Sequence, residues 1–157
     1  MSDSARSMMA SQTGYAERMK KLSKYFASIP VRFADTDANG HVFFANYLTY
    51  FDIALLEYFK AVGYGLQRFV DNGLNFLYAE ALTRFKSSVS FDDTMNVHVE
   101  ISNFGNTSFT IEFRIHEQKT DHLINSGHIV AVVVDLESNE PVHVPEELKN
   151  AVRKFES

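Results

Sequence analysis

Residues 35–41 read Asp35, Thr36, Asp37, Ala38, Asn39, Gly40, His41. Two carboxylates and an imidazole therefore share one short stretch dense in turn-forming residues. A long apolar segment follows from Asn46, a residue type favoured at helix starts. The first N–H groups of a helix have no partner inside it and carry a partial positive charge. Donors of that kind polarise a carbonyl and hold an oxyanion. A carboxylate beside them can attack the carbonyl or activate a water. The parts needed for acyl transfer are thus adjacent along the chain. The same residue types also build an ordinary turn, in which Asp37 accepts local backbone N–H groups. The residues alone leave both readings open.

The elements that must position this loop follow from the periodicity. Tyr47, Tyr50, Phe51, Ala54, Leu55, Tyr58 and Val62 fall on one helical face, and Leu48, Ile53 and Leu56 add apolar bulk on the other sides. The pattern predicts a buried helix closed by Gly63 and Gly65. A short helical piece is expected over residues 66–72. The period then becomes two: Met95, Val97, Val99 and Ile101 alternate, as do Phe109, Ile111, Phe113 and Ile115, with Gly105-Asn106 as the hairpin turn between them. Residues 79–91 alternate less cleanly, with Phe85, Val89 and Phe91 in phase. Residues 129–134 form a continuous apolar run. Residues 25–34 contain Pro30, which suits an edge strand. Pro145 opens a terminal amphipathic helix through Phe155.

This order predicts an α+β fold, one long helix on an antiparallel sheet. Residues 1–24 are expected to be a tail with a possible short helix, and residues 25–157 a single domain. One sheet covers one side of a helix that is apolar on most sides, so a homodimer is expected to cover the rest.

Composition narrows the function classes. The chain has 157 residues, 45% of them apolar and 22% charged, as a soluble globular domain would. There is no Cys, which removes disulfides, thiolate metal sites and a Cys nucleophile. Net charge is −5 and no basic stripe is evident, which argues against nucleic acid as a partner. No run approaches the ~20 apolar residues of a membrane span, and no secretory h-region opens the chain. A cytoplasmic location and no membrane partner are expected. No metal-ligand spacing and no Gly-x-Ser-x-Gly elbow occur.

The run Asp35-Thr36-Asp37-Ala38-Asn39-Gly40-His41-Val42, followed by Phe43-Phe44 and Asn46-Tyr47, resembles the signature of the 4-hydroxybenzoyl-CoA thioesterase family of hotdog proteins. The resemblance extends over residues 29–134 and includes Phe91-Asp92-Asp93 ahead of the third strand. It implies a hotdog fold, with an antiparallel sheet wrapped around one central helix, and hydrolysis of an acyl-coenzyme A. Asp37 takes the role of the catalytic carboxylate, and the backbone N–H near Phe44 that of the carbonyl-polarising donor. His41 could orient Asp37 or the attacking water, or simply satisfy the loop. Tyr47 is a further candidate, although packing suits it better than acid catalysis. Asn46, Glu80, Thr107 and Ser108 are candidates for substrate binding. Coenzyme A belongs to the substrate, so no cofactor and no metal are implied. Family members are homodimers or homotetramers with sites at subunit interfaces. The hairpin that carries phosphate-binding cations in many relatives lacks them here, which turns attention to Arg84, Lys86 and Arg114. The resemblance also admits a non-catalytic acyl-binding protein or a hotdog hydratase or dehydratase. The latter typically carry Asn-Pro in the loop, where this chain has Asn39-Gly40.

Overall fold

The computed structural model of the chain describes Asp3 and residues 23–157. Most of the expected tail and short helix therefore lie outside the described residues. Five strands, β1 (Tyr25–Pro30), β2 (Leu74–Phe85), β3 (Thr94–Phe104), β4 (Ser108–Glu117) and β5 (Leu123–Asp135), form one sheet in the order β1-β3-β4-β5-β2. Every neighbouring pair is antiparallel. β1, which contains Pro30, is an edge strand as expected, and β2 is the other edge.

The long helix α1 (Asn46–Ala61) buries Tyr47, Tyr50, Phe51, Ala54, Leu55, Tyr58 and Phe59. Aromatic and β-branched residues are indifferent helix formers, costing at most about 0.7 kcal/mol each. Burying each large side chain contributes roughly 1.5–3 kcal/mol, so packing decides that this segment is helical. Leu48 and Ile53 stay 39% exposed, so α1 keeps an outer face within one chain. The helix ends where Gly63 takes φ +81 and the Tyr64 N–H reaches back to the Phe59 carbonyl at 2.9 Å.

Phe51 fixes how α1 lies on the sheet. Its ring stacks on Phe113 with centroids 4.3 Å apart and planes within 9°. Gly127 beside it leaves room, because a Cβ there would stand 2.0 Å from the Leu82 carbonyl oxygen and 3.1 Å from the Phe51 ring. Farther along, Phe59 meets Phe76 and Phe109. The N-terminal end of α1 therefore lies over the Phe85 end of β2, and its C-terminal end over Phe76 and Phe109. Helix α2 (Leu66–Asp71) follows α1, and α3 (Glu146–Glu156), with Pro145 as its N-cap, closes the chain.

The α+β hotdog expectation holds. Strand β2 differs from its expected bounds: it starts at Leu74 and ends at Phe85, not over residues 79–91. A register shift between Tyr78 and Glu80 breaks the alternation that the sequence pattern depends on. Beyond β2, Val89 accepts the Val42 N–H at 2.9 Å, while Phe91 packs edge-on against Phe33. Among the described residues no helix is long and apolar enough to cross a membrane.

Candidate active site

After β1 the chain makes one 3-10 turn, Phe33–Asp35, and then doubles back. Thr36 and Val42 face each other as an antiparallel bridge. The Asp37 N–H donates to the His41 carbonyl at 2.9 Å, and the Gly40 N–H to the Asp37 carbonyl at 2.9 Å. Gly40 has φ +76, where an L side chain is strained. Nothing stands within 4 Å of a Cβ built there, so backbone geometry rather than crowding calls for glycine. Asp37 is exposed at the tip, and its Oδ1 accepts the Asn39 N–H at 2.8 Å. That local bond is the one an ordinary turn would make. The carboxylate is nonetheless presented to solvent, and no hydrogen bond joins it to the His41 side chain, which is also exposed.

The base of this turn is anchored by Asp35, which is only 4% exposed. Arg32 Nη2 lies 2.7 Å from Asp35 Oδ1, and the Arg32 backbone N–H donates to Oδ2 at 3.0 Å. The Arg32 hydrogen bond, more than any other influence, holds the Asp35 carboxyl below the usual carboxylate range. The Asp35 carbonyl oxygen accepts the Phe43 N–H and Asn46 Nδ2, both at 2.9 Å. The buried Tyr50 hydroxyl beside this carboxylate makes no hydrogen bond of ordinary geometry. Burial first, and the Asp35 contact second, raise its pKa far above the phenol range.

Helix α1 starts immediately beyond. Its N-cap is Ala45, with no side-chain cap. Asn46, expected as the cap from its residue type, is instead the first helical residue and turns its amide to Asp35. Among the described residues no backbone acceptor meets the Phe44 N–H. The Phe44 ring is 64% exposed and contacts Phe43 and Phe85, with centroids 4.9 and 6.3 Å away. Tyr47 packs edge-on against Phe85 at 5.7 Å and is buried, which raises its pKa. The arrangement offers a solvent-facing carboxylate, a main-chain donor at a helix start with no backbone acceptor among the described residues, and an open aromatic wall. Such a set can activate a nucleophile and stabilise an oxyanion.

Asp37, His41, Phe44, Asn46 and Tyr47 thus gather at one end of α1. Glu80, Thr107 and Ser108 do not join them within one chain. Glu80 pairs with Val130 in register, between the buried, helix-facing Ile129 and Ala131, so it points away from α1. Its carboxylate lies 3.3 Å from His128 Nε2. Thr107 gives its carbonyl to the Val133 N–H at 2.8 Å, and Ser108 opens β4 next to Phe109, at the opposite end of α1. Arg114 is buried beside Glu100 at 3.6 Å. Sequence reasoning overlooked Arg32, Asp35 and Tyr50. The i, i+3 spacing of Arg32 and Asp35 was the available signal. Among the described residues no group of three or more His, Asp or Glu could hold a metal ion.

The profile of the thioesterase-like superfamily matches residues 31–152. A putative esterase of Aquifex aeolicus is 27% identical over 110 residues, which is 65% of this chain and 86% of that protein. The acyl-CoA thioesterase YbgC of Haemophilus influenzae is 28% identical over 127 residues, 79% of this chain and 92% of its own length. The crystal structure of a 1,4-dihydroxy-2-naphthoyl-CoA thioesterase from Synechocystis covers 85% of this chain and 98% of its own, with a TM-score of 0.77 at 19% identity. That last likeness shows the fold.

Proposed function

The chain belongs to the thioesterase-like superfamily, and we propose that it hydrolyses an acyl-coenzyme A with Asp37 as the catalytic carboxylate. One observation carries the reading: an exposed carboxylate stands on a closed turn whose base is bonded to Asn46, the first residue of α1, two residues after Phe44, whose N–H meets no backbone acceptor among the described residues. Two relatives that span most of this chain, a putative esterase and an acyl-CoA thioesterase, support it.

In this account the thioester carbonyl oxygen lies against the Phe44 N–H and the positive end of α1. Asp37 either attacks the carbonyl carbon or takes a proton from an attacking water. The tetrahedral oxyanion collapses, the C–S bond breaks, and coenzyme A leaves as a thiolate that is then protonated. If Asp37 attacks, water cleaves the resulting anhydride and regenerates the carboxylate. In a single turnover in ¹⁸O-water, a product acid without ¹⁸O shows direct attack with hydrolysis at the Asp37 carboxyl carbon, whereas ¹⁸O in the acid follows from the water route or from hydrolysis at the acyl carbon. His41 orients the water, and Tyr47 serves as a packing wall. Coenzyme A is part of the substrate, and no metal or cofactor takes part.

A second copy completes the site. The β2 edge exposes Leu77, Tyr78 and Phe85 at 47%, 45% and 52%, and an exposed apolar edge strand invites pairing. The assembly is a homodimer or a homotetramer, and sedimentation at micromolar concentration distinguishes either from a monomer. Within one chain Glu80, Thr107 and Ser108 lie away from Asp37, so the partner is the route by which they would reach the substrate.

The activity test is thiol release from a panel of acyl-CoA thioesters, ranked by kcat/KM. Hydrolysis of at least one member is the expected result. Binding without hydrolysis across the panel would favour the acyl-ligand-binding alternative, and water addition to an enoyl-CoA the hydratase alternative.

A further inference from the structure

The main-chain oxygen of Asp35 lies where the Asp37 turn and helix α1 meet. From the turn it accepts the Phe43 N–H, and from the first helical residue it accepts Asn46 Nδ2, each at 2.9 Å. Behind it, the Asp35 side chain is held by three contacts from Arg32: Nη2 at 2.7 Å, Nε at 3.2 Å and the backbone N–H at 3.0 Å. The N-cap Ala45 adds no side-chain cap to the α1 start. The Asn46 N–H bond to the Phe43 carbonyl, at 2.9 Å, is a second tie there.

We propose that Asn46 and Asp35 are positioning residues that set where the Asp37 carboxylate stands relative to the Phe44 N–H. The proposal rests on the thioesterase reading and adds to it roles that neither residue type suggests. Asn46 acts on the chemistry without capping the helix and without touching substrate. Asp35 acts through its carbonyl oxygen, while its buried carboxylate keeps Arg32 in place. The geometry gives the reason. Asp37 lies two residues beyond Asp35, and Phe44 two residues before Asn46, so the Asn46–Asp35 bond is a short cross-link between the reacting carboxylate and the oxyanion donor. Reacting groups lose rate steeply when displaced, by about 10²-fold for an ångström.

The test compares Asn46→Asp, Asn46→Ala and Asn46→His using an acyl-CoA that the wild type hydrolyses. Asn46→Asp keeps the shape and replaces the donor with an acceptor facing a carbonyl. Asn46→His places an Nδ1–H at similar reach. Expected is a fall in kcat of about 10–10²-fold for the Asp and Ala variants, with KM within about twofold, because the interaction lost acts on the transition state. Partial recovery of kcat in Asn46→His is expected as well. Circular dichroism checks that each variant is folded, and Asn46→Ala decides if the Asp variant is not. Wild-type kcat in Asn46→Ala would overturn the proposal. So would a raised KM at unchanged kcat, which would make Asn46 a substrate ligand, or equal losses in the Ala and His variants, which would make its role one of fold alone. These outcomes leave the thioesterase reading intact. A wild type that hydrolyses no acyl-CoA would overturn both.

Discussion

Asp37 Oδ1 accepts the Asn39 N–H at 2.8 Å, so the turn that exposes the carboxylate also orients it. The bond is local and does not depend on His41, whose carbonyl, rather than its imidazole, closes the turn. A carboxylate held by one oxygen at a tip is set in direction yet open to a ligand. His41→Ala is accordingly expected to lower kcat far less than a change at Asp37, and comparing the two variants in one thiol-release assay checks this.

The contact with the coenzyme A phosphates should fall to Lys86. The β3–β4 hairpin has no cation, Arg114 is buried against Glu100, and Arg84 is in register phase with Glu80 and His128 on the face that points away from α1. Lys86 is exposed and directly follows Phe85, whose ring touches Phe44. An exposed ion pair is worth up to about 1 kcal/mol, so Lys86→Ala should raise KM for an acyl-CoA by roughly fivefold. With an acyl-pantetheine, which has no nucleotide phosphates, KM should not change. Equal effects on both substrates would count against a phosphate contact.

Gly127 lets α1 approach the sheet. In Gly127→Ala the added methyl would meet the Leu82 carbonyl oxygen at 2.0 Å, and backbone cannot yield as a flexible side chain can. Overpacking of this kind costs about 1–3 kcal/mol or more, and each kcal/mol lowers Tm by about 2–4 °C at this size. A thermal melt within a degree of wild type would show that β2 and β5 adjust freely.

Acid should destabilise the fold through His98. Burial first, then the nearby His116 and Arg114, lower its pKa; the His116 ring centroid is 5.5 Å away. The unfolded chain binds a proton at His98 below about pH 6.5, while the folded chain resists it. The unfolded state then carries more protons, so stability is full above that pH and falls as pH drops towards the folded pKa. Urea midpoints at pH 7.5 and 5.5 should therefore differ more in the wild type than in His98→Gln. Parallel shifts would place the acid sensitivity elsewhere.

Helix α1 was legible because the 3.6 period of Tyr47, Tyr50, Phe51, Ala54, Leu55 and Tyr58 coincides with its buried face. Strands β3 and β4 were legible because Val97, Val99, Ile111 and Phe113 alternate with polar residues on the opposite face. The first half of β2 was not. It is an edge with Leu77 and Tyr78 both exposed, and the irregularity before Glu80 shifts the phase midway. In the candidate site the Asp37 loop could be found from residue types and its resemblance. The part played by Asp35 could not, because it works through a main-chain oxygen, and a side-chain pattern does not reveal which carbonyl a later amide will reach. Asn46 misled for a related reason: the same amide that caps a helix from one position bonds to a neighbouring loop from the next.

The central claim is tested most directly by Asp37→Asn, which keeps the shape of the side chain and removes its charge. The Asn39 N–H can still donate to the amide oxygen, so the turn and the fold should persist, with Tm close to wild type. Thioester hydrolysis, followed as coenzyme A release under single-turnover conditions, should fall by about 10²–10⁴-fold. A folded Asp37→Asn protein that hydrolyses acyl-CoA at close to the wild-type rate would contradict the account.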